Sequence, residues 1–171
     1  MSNTKMNKDI VPENFTIGLV IVDMIPVLLF GGSGFILGLL AGNVLISIGA
    51  IICFLSGFLK VWWKFIVVSK KRNVWFLFMQ MRIVMPIGFL ILVIGIIIAS
   101  VTGNMGNVLR ECLLFPQVIL FAFGFIGMGL MGYFAKNLDS TDVKSNWIEQ
   151  ITNSLSQLFI FIGLLMLIMD L

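Results

Sequence analysis

Four ionisable side chains stand inside long apolar stretches of this sequence: Asp23, Lys60, Arg82 and Glu149. Placing such a group in a bilayer costs on the order of 2.5–3.5 kcal/mol, so each needs a partner or a task. Asp23 is of opposite charge to Arg82 and Lys60, and the spacing predicts that it pairs with one of them, Arg82 first. Glu149, Asn153 and Gln157 follow one another at i, i+4 and i+8 and therefore share one helical face, with Gln150 beside them. Amides both donate and accept hydrogen bonds. A row of them beside Lys60 has the chemistry to hold a small polar or anionic solute. The same residues also have a purely structural use. An ion pair can set helix register, amides can bond across helices, and Lys60 and Lys64 can extend their stems to place their ammonium groups at the membrane surface.

Catalysis has little to work with. The chain contains no His, the usual general base and the commonest metal ligand. It has no GxSxG, Walker, HExxH or dinucleotide-binding motif. The run Gly31-Gly32-Ser33-Gly34 is no phosphate loop, because no strand precedes it and no Lys follows. The expectation is a non-enzyme without cofactor or metal. Cys53 and Cys112 read as small buried hydrophobes, and no CxxC supports dithiol chemistry.

The elements that must position these groups follow from composition. Of 171 residues, 60% are hydrophobic and 11% charged, and the mean hydropathy is +1.11. Soluble domains carry about 25% charged residues, so a water-soluble monomer is excluded. The formal charge of +3 does not indicate nucleic-acid binding, since the basic residues flank apolar runs.

A span needs about 20 mostly apolar residues. The stretch from Thr16 to Val68 is long enough for two, broken at Ala41-Gly42-Asn43. The reading is a single all-α domain covering 1–171. It is a bundle of five transmembrane helices at about 16–40, 44–68, 74–99, 113–135 and 147–169. Span one is too long for a signal-peptide core and is expected to be retained. Nine basic residues (Lys5, Lys8, Lys60, Lys64, Lys70, Lys71, Arg72, Lys136 and Lys144) fall on one side of this arrangement and Arg110 on the other. That bias predicts an N-inside, C-outside protein of an inner or plasma membrane. Trp62, Trp63, Trp75 and Trp147 lie near the inner boundary, where interfacial anchors belong. Asn14-Phe15-Thr16 has the form of a glycosylation sequon but falls on the inner side.

At 1.5 Å per residue, Asp23, Lys60 and Arg82 sit roughly 10–12 Å deep from the inner face. The outer halves of the helices are almost wholly apolar. One-sided polarity of this kind predicts an inward-facing polar cavity lined by Asp23, Lys60, Arg82, Glu149, Asn153 and Gln157. Glycines on one face of spans one, two and four predict close helix packing, within the chain, in a homodimer or against a membrane partner. Gly31, Gly32 and Gly34 follow Pro26 and could instead open span one at mid-membrane, as in discontinuous transporter helices. Pro86, one turn after Arg82, is expected to kink span three and free a carbonyl in Arg82–Met85. The leading functional reading is a small transporter-like or solute-binding protein embedded in lipid. The alternative is an accessory or assembly subunit whose glycine faces bind partner helices.

Overall fold

The break at Ala41-Gly42-Asn43 is the first structural decision the chain makes. The computed structural model describes residues 15–103, 105–138 and 142–170. Lys5, Lys8 and the sequon residue Asn14 lie outside the described residues. Helix α1 runs Ile17–Leu40, capped by the Thr16 hydroxyl, which accepts the Leu19 amide at 3.3 Å. Asn43 then starts α2, Val44–Lys70. Its side-chain oxygen accepts the Leu45 amide at 2.9 Å, while its side-chain nitrogen donates to the Gly95 carbonyl at 3.1 Å. One residue therefore both caps a helix and ties the turn to the third span.

That third span is two helices, α3 (Trp75–Met79) and α4 (Met81–Val101), meeting at Gln80. A short α5 follows, Met105–Cys112, in the connection that the sequence left between spans three and four. Met105 and Val108 are buried and Cys112 half-buried, an i, i+3, i+7 face folded onto the bundle. The set closes with α6, Gln117–Asn137, and α7, Val143–Asp170. No strand occurs among the described residues. Five helical stretches are long and apolar enough to cross a membrane, with α3 and α4 together forming one of them. The chain is thus a multi-pass, all-helical membrane protein. Spans four and five differ from their expected starts by four residues in opposite directions, because Gln117 and Val143 begin the helices.

The helices stand in a row ordered α4, α2, α1, α7, α6, each packing on its neighbours. Along the α1–α2 seam Gly38 faces Ser47, Gly34 faces Ala50, Gly31 faces Phe54 and Gly57 faces Val27. Numbers rise on one helix as they fall on the other, so the pair is antiparallel. The same pattern makes α6 and α7 antiparallel, with Gly163 on Phe121 and Gly124 on Ile160. Between α1 and α7 the numbers rise together, Gly18 on Trp147 and Gly32 on Phe161, so these two central helices are parallel. One end of the row, the basic end, therefore carries the start of α1, the α2–α3 loop and the α6–α7 loop. At the far end, the segment containing α5 crosses from the α4 edge to the α6 edge.

The closest approach to a neighbouring backbone is between α2 and α4. A methyl group on Gly49 would stand 2.5 Å from the Leu92 amide nitrogen, and one on Gly95 would stand 2.8 Å from that of Ile46. Only glycine lets the two backbones meet at this distance, which is how helices associate without a hydrophobic driving force. The alternative of an opened span one does not occur, and the glycines pack closely as expected. α1 is continuous through Gly31-Gly32-Ser33-Gly34 and past Pro26, because these glycines are filled by Phe54, Phe161 and Ala50 from the adjoining helices. Pro86 lies within α4. In the segment it was expected to expose, the Cys53 thiol donates to the Met85 carbonyl at 3.5 Å.

Candidate functional site at the basic end

Asp23 sits on the face of α1 that meets α2, and antiparallel packing brings it opposite Lys64. The Lys64 Nζ to Asp23 carboxylate distance is 2.9 Å. Asp23 is 4% exposed and Lys64 2%. The ammonium also donates to the Asn146 side-chain oxygen of α7 at 3.4 Å and stands 5.7 Å from the centre of the Phe15 ring. A carboxylate, an amide and a ring face thus surround one buried cation. Around them pack Phe15, Leu19, Trp63 and Val67, with Trp147 and Phe78 at the margin.

The expected pairing of Asp23 with Arg82 or Lys60 is therefore replaced by Asp23 with Lys64. Arg82 is on α4, two helices away from α1 in the row, and is exposed. Its guanidinium lies 5.4 Å from the Phe78 ring centre. Lys64 does not extend to the surface as its position near the helix end predicted, since Asp23 and Asn146 hold it inside. Trp63 likewise is no interfacial anchor. It is 1% exposed, and its ring nitrogen donates to the Asn73 side-chain oxygen at 2.9 Å.

Lys60 and Glu149 remain beside this closed pair. Both are half-buried; Glu149 is within electrostatic range of Lys60, Lys64 and Asp23, and Lys60 of Lys64. Among the described residues neither has a partner at ion-pair distance. On α7 the buried polar face is Asn146, Gln150, Asn153 and Gln157, spaced i, i+4, i+7 and i+11, with Asn153 half-buried and the other three buried. Glu149 flanks this face. Gln150 is 4% exposed, and its Oε1 has no hydrogen-bond partner. Gln157 turns away from the cluster and donates to the Met128 sulfur on α6 at 3.2 Å.

The structure thus draws Asp23, Lys60 and Glu149 together and adds Lys64, Asn146 and Gln150. It separates Arg82 and Gln157 from them. Asn146 was missed because span five was expected to start at Trp147. Asp142 caps α7 instead, its carboxylate accepting the Ser145 amide at 2.8 Å and hydroxyl at 2.9 Å. The added turn lifts Asn146 into the bundle. A second unforeseen group is Gln80 at the α3–α4 junction, 8% exposed. Its Nε2 donates to the Ser56 carbonyl at 2.9 Å, and its Oε1 accepts the Ser56 hydroxyl at 3.2 Å. Chemically the basic end offers one neutralised ion pair, one cation and one carboxylate without direct partners, and an unengaged buried amide. No cluster of metal-ligating residues occurs among the described residues.

No family model, no curated protein and no solved structure matches this chain.

Proposed function

We propose that this multi-pass protein of an inner or plasma membrane lies with its N-terminus inside. Its role is that of a solute-binding or transporter-like protein rather than an enzyme, and its site is at the basic end. Lys60 and Glu149 form the charged walls, with Gln150 and Asn153 supplying hydrogen bonds. The observation that carries this reading is the division within the cluster. Asp23 and Lys64 neutralise each other at contact distance, whereas among the described residues Lys60 and Glu149 attract each other only from beyond ion-pair distance and the buried Gln150 oxygen has no hydrogen-bond partner. Polar groups held out of water without partners are costly, and a small polar solute carrying an anionic group for Lys60 offsets that cost. The basic bias of the end where the N-terminal helix starts supports the orientation.

A thermal-shift screen of the purified chain against small amino acids, carboxylates and amines tests the reading. One class is expected to raise the unfolding temperature, and Lys60→Gln or Glu149→Gln to abolish that rise while leaving the unliganded protein folded. No stabilisation by any class, or equal stabilisation of both variants, defeats it.

A second reading, an accessory subunit, draws on α6. This helix stands at the edge of the row, and added methyl groups on Gly129 and Gly132 would meet nothing within 4 Å. Recovery of a fixed membrane partner whose binding fails in Gly129→Leu supports that reading instead.

A further inference from the structure

Between Asp23 and Glu111 the sequence holds seven Lys or Arg residues and no Asp or Glu. Helices α2, α3 and α4 therefore contain no carboxylate to balance their cations. Lys64 takes its counter-charge from α1. Lys70, the last residue of α2, and Lys71 and Arg72 in the loop that follows are exposed. Arg82 stands apart from them on α4, which forms one edge of the row.

Arg82 is eight residues beyond Val74, about 12 Å along the helix axis, on a helix whose neighbouring Ile83 and Ile87 are 64% and 51% exposed. Among the described residues no carboxylate lies within ion-pair distance of its guanidinium. The Phe78 ring lies beside it and packs at a tilt against Trp63 and Trp75, at centroid separations of 5.0 and 5.2 Å. Gln80 holds this helix junction to α2 through Ser56. A planar cation is thus fixed at the lipid-facing edge, against an aromatic wall, beneath three exposed cations.

We propose that this edge binds an anionic phospholipid, with the Arg82 guanidinium holding the lipid phosphate and Lys70, Lys71 and Arg72 attracting the headgroup. A guanidinium presents paired N–H donors that match phosphate oxygens. An arginine facing acyl chains at this depth reaches such a phosphate by extending toward the headgroup layer. The basic loop adds the long-range attraction that polybasic segments exert on anionic lipid. The proposal is independent of the Lys60–Glu149 site, which faces other helices.

The test reconstitutes the full chain in nanodiscs of equal parts phosphatidylglycerol and phosphatidylcholine. Native mass spectrometry then reads which lipid stays bound on release. The wild type is expected to retain phosphatidylglycerol preferentially, and Arg82→Gln to lower that preference about fivefold. Arg82→Lys, which keeps the charge and loses the planar fork, is expected to fall between them and to decide the matter should the Gln variant fail to accumulate. Equal retention of the two lipids by the wild type overturns the proposal, as does an unchanged preference in Arg82→Gln or a wild-type preference in Arg82→Lys. An oligomer that Arg82→Gln dissociates also overturns it, by assigning the guanidinium to a second copy of the chain.

Discussion

Lys64 and Arg82 are cations set into apolar helices at the same end of this bundle, and the fold handles them in opposite ways. Lys64 is enclosed between α1, α2 and α7, with a carboxylate at 2.9 Å and an amide oxygen at 3.4 Å. Arg82 is exposed at the α4 edge beside the Phe78 ring, with no carboxylate at ion-pair distance among the described residues. The difference is one of access. A charge inside the row cannot reach water or headgroups, so the protein must supply its counter-charge. A charge on the edge can leave that supply to the membrane.

The largest effect breaks the enclosed side of this comparison. Asp23→Leu or Lys64→Met leaves an uncompensated buried charge, and each is expected to cost about 3–5 kcal/mol of stability. The double variant Asp23→Leu/Lys64→Met should recover most of that loss. Arg82→Gln, by contrast, should change stability by no more than about 0.5 kcal/mol. Reversible unfolding in detergent measures all four. Additive single and double effects at Asp23 and Lys64, or a large loss at Arg82, would collapse the distinction.

A smaller effect concerns the junction that presents Arg82. Gln80→Leu removes both hydrogen bonds to Ser56. Bonds of this kind in membrane bundles average about 0.6 kcal/mol and reach about 1.7 kcal/mol, so a loss of roughly 1 kcal/mol is expected. A double-mutant cycle with Ser56→Ala should show coupling, and its absence would mean that Gln80 and Ser56 act separately.

The smallest effect lies at the α7 cap, which carries Asn146 toward Lys64. Asp142 accepts the Ser145 backbone amide and then its hydroxyl, and these bonds hold its carboxyl below the usual carboxylate range. A carboxyl lowered in the folded state stabilises above its ordinary titration range. That contribution is lost as the pH falls through the lower, folded-state value. Acidification should therefore lower the protection factor of the Ser145 amide, its exchange measured against the intrinsic rate at the same pH, and Asp142→Ala should lower it at neutral pH as well. A Ser145 amide equally protected in both proteins would show that Asp142 does not cap the helix.

Much of the fold was legible in the sequence, because spans announce themselves by unbroken apolar length. The turn at Ala41–Asn43 and the first three spans fall where length and turn residues put them. The short α5 was not legible, since an eight-residue amphipathic helix looks like a polar loop. Nor was the start of α7, which depends on a cap at Asp142 rather than on hydropathy.

The candidate site was legible as a set of residue types but not as a set of contacts. Depth along each helix put Asp23, Lys60 and Arg82 at one level, and depth alone favoured the Asp23–Arg82 pair. Depth says nothing about which helix stands beside which. The row order α4, α2, α1, α7, α6 puts Arg82 beyond reach of Asp23, and antiparallel packing of α1 on α2 brings Lys64 to it.

By itself, the sequence determined that this chain has five stretches long and apolar enough to cross a membrane, with most of its basic residues at one end. The cost of burying charge and backbone in lipid leaves few other solutions. Only the tertiary structure decided which charges are neutralised and which stand without an ion-pair partner among the described residues. That outcome depends on close glycine contacts between particular helices. Such contacts are properties of paired surfaces and cannot be read from one strip of sequence.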